Sequence, residues 1–195
     1  INAGKIQSEG GYNGAGIGSG NAADGTCNIH IQGGIIYAST NIADGQNESF
    51  FERFYAIGSG SGWTDGSITI TNGVVITKGQ INKSNKDTWS GMIFENTETD
   101  GIVYGDPTLS QKFTLEDTQN LLIPENTSLQ GTANLTNDGN IYVSGTLAES
   151  VSGSGKVHYA LTVTGGTAGG DVSTYKNQLY GKTGGLVTLN ATNVP

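Results

Sequence analysis

The 195 residues hold one arginine (Arg53), one cysteine (Cys27), one methionine (Met92) and three prolines, and charged residues make up only 13% of the chain. Ordinary soluble domains carry roughly 25% charged residues. A single cysteine excludes an internal disulfide framework. Cys27 stands just before the alternating Ile29 and Ile31, so it reads as a small core residue and not as a reactive thiol. Nine Lys and Arg face 17 Asp and Glu, for a formal net charge of -8. Without a basic face to neutralise phosphates, no nucleic-acid partner is expected, nor docking on anionic lipid. The acidity reads as solubility. No apolar run reaches the roughly 18 residues of a spanning helix, so no membrane insertion is expected. No leader peptide is visible. The chain opens inside a repeat, at Ile1-Asn2-Ala3-Gly4, and stops at Asn193-Val194-Pro195. It reads as a fragment of a longer protein, for which a missing leader says nothing about secretion.

Glycine is abundant, at 32 residues, and Thr, Ser and Asn fill much of the rest. Small side chains suit closely stacked backbones with tight turns, whereas helical proteins favour Ala, Leu, Glu, Lys and Arg. One pattern occurs twice. Ala15-Gly16-Ile17-Gly18-Ser19-Gly20, Asp24-Gly25 and Ile29-His30-Ile31 return as Ala56-Ile57-Gly58-Ser59-Gly60, Asp65-Gly66 and Ile68-Thr69-Ile70. The step from Ile17 to Ile57 is 40, and that from Ile31 to Ile70 is 39. A shorter step lies beneath it. Ala15, Ile35, Tyr55 and Val75 are 20 apart, as are Ile17, Tyr37 and Ile57, and later Val103, Ile123 and Val143. At the same step Leu109 matches Leu129, Phe113 matches Ala133, Leu115 matches Leu135 and Leu121 matches Ile141.

Apolar and polar residues alternate around these positions, which predicts short half-buried strands. Asp-Gly, Asn-Gly and Gly-Gly pairs predict tight turns between them. Strands recurring at this shorter step stack as coils of a solenoid that share one core. Leucine-rich repeats need a fixed Leu frame that is absent, so a parallel β-helix is favoured, with about eight coils over about 40 Å. A β-sandwich would also show many short strands, but it does not explain a register held over three or four copies. The register is lost after Ser152-Gly153-Ser154-Gly155, which places a boundary near residue 156.

The repeat Ala-x-Ile-Gly-Ser-Gly, Asp-Gly, Ile-x-Ile-x-x-Gly resembles Gly-rich repeats of large cell-surface proteins of gut Firmicutes and related bacteria. Leu122-Ile123-Pro124-Glu125-Asn126-Thr127-Ser128-Leu129, followed by Leu135-Thr136-Asn137-Asp138-Gly139-Asn140-Ile141, is similar to their coils. The tail, with Leu161-Thr162-Val163 and Gly184 to Ala191, resembles the start of the small β-grasp repeats of internalin-like surface proteins. The resemblance implies an all-β fold: a right-handed parallel β-helix over residues 1–155, then a short separate β segment over 156–195, a truncated β-grasp-like repeat. It implies an extracellular or cell-surface location, as an adhesin or stalk segment, and supplies no catalytic residues.

Asp24, Asp44 and Asp65 each precede a glycine, at steps of 20 and 21. Stacked carboxylates about 5 Å apart repel unless they are exposed or bridged by a cation. They are therefore candidate calcium ligands, helped by Asn and carbonyl oxygens. They also read as ordinary turn residues, in which case no cofactor is needed. The same stack could serve a polysaccharide hydrolase or lyase, but a glycosidase needs two carboxylates at a set separation, and the chain is not expected to be an enzyme. Trp63, in the turn Ser61 to Asp65, and Trp89, in the polar stretch Asn82 to Ser90, are candidate platforms for sugar rings, with Tyr55. Each Trp could instead cap the core. Gln80 to Thr88 reads as a protruding loop. His30, between Ile29 and Ile31, should point outward, and neither it nor His158 has a histidine partner nearby in sequence. The expected function is a non-catalytic adhesive or spacer rod. Carbohydrate binding, with host or dietary glycans as partners, is the next reading. Oligomeric state is left open by the strand edges at both ends.

Overall fold

The computed structural model describes residues 1–12, 14–20, 28–41, 55–58, 67–82 and 86–191. These residues are all-β, with 3-10 turns at Lys86–Thr88 and Thr132–Asn134 and no α-helix among them. The first half contributes β1 (Lys5–Tyr12), β2 (Ile17–Gly18), β3 (Ile29–Ile31), β4 (Ile35–Asn41), β5 (Tyr55–Gly58), β6 (Ile68–Ile70), β7 (Val74–Lys78), β8 (Gln80–Ile81) and β9 (Gly91–Phe94). The second half contributes β10 (Asp100–Tyr104), β11 (Phe113–Leu115), β12 (Asn120–Ile123), β13 (Ser128–Leu129), β14 (Leu135–Asn137), β15 (Asn140–Val143) and β16 (Thr146–Leu147). The chain ends with β17 (Lys156–Ala160), β18 (Gly166–Gly170), β19 (Val172–Tyr175), β20 (Gln178–Lys182) and β21 (Val187–Ala191).

Ten strands make one sheet in the order β1-β4-β7-β9-β10-β12-β15-β17-β20-β19. The first four are parallel to one another. The chain reverses between β9 and β10, which pair antiparallel. β10, β12, β15 and β17 are again parallel, and β20 and β19 close the sheet antiparallel. The sheet is thus mixed, not uniformly parallel as expected. It also runs across residue 155, because β17 pairs in register with β15. The described part of the 156–195 segment is joined to the preceding strands through this pairing.

The repeat length differs between the halves. Ile35 faces Val74 and Ile29 faces Ile68, both at a step of 39, and Ile17 faces Ile57 at a step of 40. Between these strands the forty-residue step is the one that stacks, whereas β1 meets β4 at a step of 30, with Lys5 facing Ile35, and β7 meets β9 at a step of 18, with Val74 facing Met92. The shorter step arises because Ile17, Tyr37 and Ile57 sit on β2, β4 and β5, and β4 belongs to a different sheet from the other two. In the second half the step of 20 is real, with Asn120 facing Asp100 and Asn140 facing Asn120. It slips at β11, where Phe113 faces Leu135 and Leu115 faces Asn137, a step of 22. The 3-10 turn Thr132–Asn134 takes up the added residues.

The apolar layers lie on opposite faces of the main sheet in the two halves. Ile36, Ala38, Val75 and Ile93 pack with Ile31, Ile57, Ile68 and Ile70 of the short sheets. Val103, Leu121, Ile123, Ile141 and Val143 pack with Phe113, Leu115, Leu129 and Leu135. Ile35, Val74, Ile76, Met92 and Phe94 also belong to the second cluster while Ile36, Val75 and Ile93 belong to the first, so β4, β7 and β9 are covered on both sides, and the short strands of the first half pack on one face and those of the second half on the other. Successive strand residues point to opposite faces, and at β9 both sets are apolar. The reversing turn has Asn96 at φ 55. It is fastened by the buried Thr77, whose Oγ1 accepts from the Asn96 N–H at 3.1 Å and donates to the Gly79 carbonyl at 2.7 Å.

Candidate functional site

The turns that follow β10, β12 and β15 stack beside one another and form a shallow, open, polar groove. Asp106, Glu125, Asn126, Thr127, Ser144 and Thr146 line it. Its floor depends on close backbone approach. The Thr146 N–H donates to the Thr127 carbonyl at 2.9 Å, and a Cβ at Gly145 would lie 2.2 Å from the Pro124 carbonyl oxygen and 2.4 Å from that of Thr127. Any side chain at Gly145 would push the stacked turns apart. The Thr127 hydroxyl donates to the Pro124 carbonyl at 2.8 Å and fixes the turn. The groove offers two carboxylates, hydroxyls and an amide, a set that can bond to several hydroxyls of one polar ligand.

The groove is continuous with an aromatic cluster on the outer face of β15 and β17. The Ser144 hydroxyl pairs with the Tyr180 hydroxyl at 2.9 Å. Tyr142 stacks on His158 at 4.9 Å and 13°, which follows from their in-register pairing. Its ring also stacks on Tyr175 at 4.1 Å and 9°, with Tyr180 edge-on at 5.2 Å. Tyr175 donates to Asp100 Oδ1 at 2.8 Å. Asn120 Nδ2 donates to the same oxygen at 3.2 Å, and Asn140 Nδ2 to Asn120 Oδ1 at 3.3 Å. A polar ladder thus runs along the twenty-residue column.

Burial alone would raise the Asp100 pKa, but the bonds from Tyr175, Thr99 and Asn120, with Lys176 nearby, hold it below the usual carboxylate value. The Tyr175 phenol is pushed up strongly, by burial and then by Asp100. His158 is held below the ordinary histidine value, by burial first and then by Lys156 and Lys182.

Trp89 is 2% exposed and packs in the first core, with its Nε1 donating to the Ile68 carbonyl at 3.3 Å. Its ring lies edge-on to Tyr104 at 5.9 Å, and Lys86 Nζ lies over its face at 5.5 Å. It caps the core and presents no open face to a sugar. The expected protruding loop is anchored at both ends, by β8 and by the Lys86 ion pair with Glu95, whose Oε1 also accepts from the Ile81 N–H at 3.0 Å. Tyr55 is half-buried at the start of β5. Trp63, Asp24, Asp44 and Asp65 lie outside the described residues, as do Cys27 and Arg53. Of the expected binding residues, the described structure therefore places only Trp89 and Tyr55, on separate elements. Among the described residues no group of three or more His, Cys, Asp or Glu is placed to hold a metal, which does not bear on the three aspartates. His30 is exposed on β3, as its alternation implied.

Sequence reasoning missed Tyr159, which is 46% exposed opposite Gly181 and offers an open aromatic ring. It also missed the Tyr142–Tyr175 stack, because the hairpin that carries Tyr175 follows no repeat. Asp106 and Glu125 were hidden among turn residues, and only their spacing, close to the shorter repeat step, hinted that they lie on neighbouring turns. No helix of the described residues is long and apolar enough to cross a membrane. Comparison with protein-family models, curated proteins and solved structures finds no match to this chain.

Proposed function

We propose that this chain is a non-catalytic module of a secreted or surface-displayed bacterial protein, a β-helical rod that acts as spacer or adhesive segment. The observation that carries the reading is the ladder from β10 through β12 to β15, in which Asp100, Asn120 and Asn140 stand in register above a continuous apolar column. Such a ladder makes each circuit depend on its neighbours and extends by adding circuits, which suits a spacer.

The change of face of the short covering strands supports a single hand of winding. Parallel strands joined through one face take a right-handed connection because of strand twist. Reversing the strand direction at β9–β10 while the strand order keeps advancing would invert that hand if the core stayed on the same face. The short strands that complete the circuits pack on one face before the reversal and on the other after it, an arrangement that fits a single hand.

Carbohydrate binding is the second reading. It is favoured by the polar groove of Asp106, Glu125 and Thr127 and by the exposed ring of Tyr159. A glycan array probed with the wild type, Glu125→Gln and Tyr159→Ala, each with and without chelator, tests it. Binding that either variant abolishes would support an adhesive role. No signal in any arm would remove the carbohydrate reading and leave the spacer. Release of reducing ends or unsaturated uronates from a polysaccharide panel would sink the non-catalytic assignment.

A further inference from the structure

We propose that the β19–β20 hairpin is an acid-released strap, clasped across the outer face of the sheet by Tyr175 and freed when the buried imidazole of His158 takes up a proton. The hairpin turns at Lys176 and Asn177, both at positive φ (45 and 65). From there Tyr175 reaches back over Tyr142 of β15 to Asp100 of β10. The face that it covers carries Ile102, Leu122, Tyr142 and His158 in register. His158 is 7% exposed, and neither ring nitrogen has a hydrogen-bond partner. Buried polar atoms are nearly always paired, and an unpaired one bears its desolvation cost without compensation. The closed strap thus holds an imidazole that gains by reaching water.

Among the described residues no carboxylate meets the imidazole, and the buried Ser173 hydroxyl of β19 is likewise unpaired. His158 is stacked on Tyr142, with Lys182 of β20 directly opposite and Lys156 of its own strand both disfavouring a positive charge. Tyr180 of β20 is engaged with Ser144, and Tyr175 of β19 with Asp100. Asp100 is the carboxylate tied to this cluster, and it connects to His158 only through the rings of Tyr175 and Tyr142. Lys176, over the Tyr175 ring at 5.4 Å, adds a further positive charge at the hairpin tip.

The sign follows from linkage. The neutral ring belongs to the closed state, and an open, solvated His158 would titrate at about 6.5. Closure is therefore fully favoured above that value, and the open fraction rises about tenfold per pH unit below it until the closed-state pKa is reached. Asp100, held below the ordinary carboxylate value, stays charged through this window, so its clasp on Tyr175 does not account for the release.

Hydrogen exchange of the full chain from about pH 7.5 to about pH 4.5, read as protection factors, tests the strap. The β20 amides should lose protection about tenfold from pH ~6.5 to ~5.5, while β12 amides hold theirs. His158→Phe should abolish the loss. Equal loss in both proteins, or no loss in the wild type, overturns the proposal. If His158→Phe does not fold, side-chain NMR of the wild type decides. A His158 pKa at or above the ordinary histidine value of about 6.5 overturns the strap, and one clearly below it, with β20 opening on acidification, sustains it.

Discussion

The ring of Phe94 fills the space above Gly101: a Cβ on Gly101 would lie 2.5 Å from the Phe94 Cζ, and Phe94 itself is fully buried. The two residues sit on either side of the strand reversal, on the face of the second core, which runs from β4 across β9 and β10. Phe94 cannot swing away freely, because Phe113 stands at 6.2 Å from it. Gly101→Ala should therefore cost about 1–3 kcal/mol through overpacking, and Phe94→Ala about 3–5 kcal/mol through the cavity it leaves. Urea unfolding measures both. A neutral Gly101→Ala would show that the reversal is loosely packed.

Trp89→Ala should lower stability by about 3–5 kcal/mol, because the ring is buried with Ile70 and Ile93 in the first core. Trp89→Phe should lose less, since it keeps most of the apolar volume but drops the Nε1 bond to Ile68. A glycan-binding defect in Trp89→Ala that exceeds its loss of folded protein would contradict this placement.

Tyr175→Phe removes the hydrogen bond to Asp100 and should cost about 1 kcal/mol at neutral pH. Because the folded Asp100 pKa is depressed, its stabilisation is complete above the unfolded carboxylate value of about 3.9 and fades as pH falls through the folded value. In the His158→Phe background, where the hairpin stays closed on acidification, the stability gap on Tyr175→Phe should thus be constant from neutral pH to about pH 4.5 and shrink below about pH 4. A gap that closes near pH 6 in that background would point to another group.

Gly145→Val should part the stacked turns of the groove, since its Cβ has no room between Pro124 and Thr127. The expected loss is about 1–3 kcal/mol, together with faster hydrogen exchange at Ser144 and Thr146. Glu125→Gln, on the groove wall, should leave stability within about 0.5 kcal/mol of wild type, which makes it the cleaner probe of ligand binding.

Composition and alternation were enough to settle the all-β class. Small residues, period-two strands such as Phe113-Thr114-Leu115 and glycine turns are local signals, and local signals survive in one dimension. The twenty-residue column of Val103, Ile123 and Val143 was legible because its inward positions share one core. The same spacing misled at Ile17, Tyr37 and Ile57, because a repeat in sequence does not say whether successive copies join the same sheet. Trp89 lies in a polar stretch, and nothing nearby in sequence announces that Ile68 and Tyr104 enclose it. Only the tertiary structure decided where the strands reverse, which face each half buries, and that a hairpin outside the repeat brings Tyr175 back over Tyr142 to Asp100, 75 residues away in sequence. Those choices depend on long-range packing around Phe94 and Tyr142, and side chains brought together from distant segments leave no periodic trace.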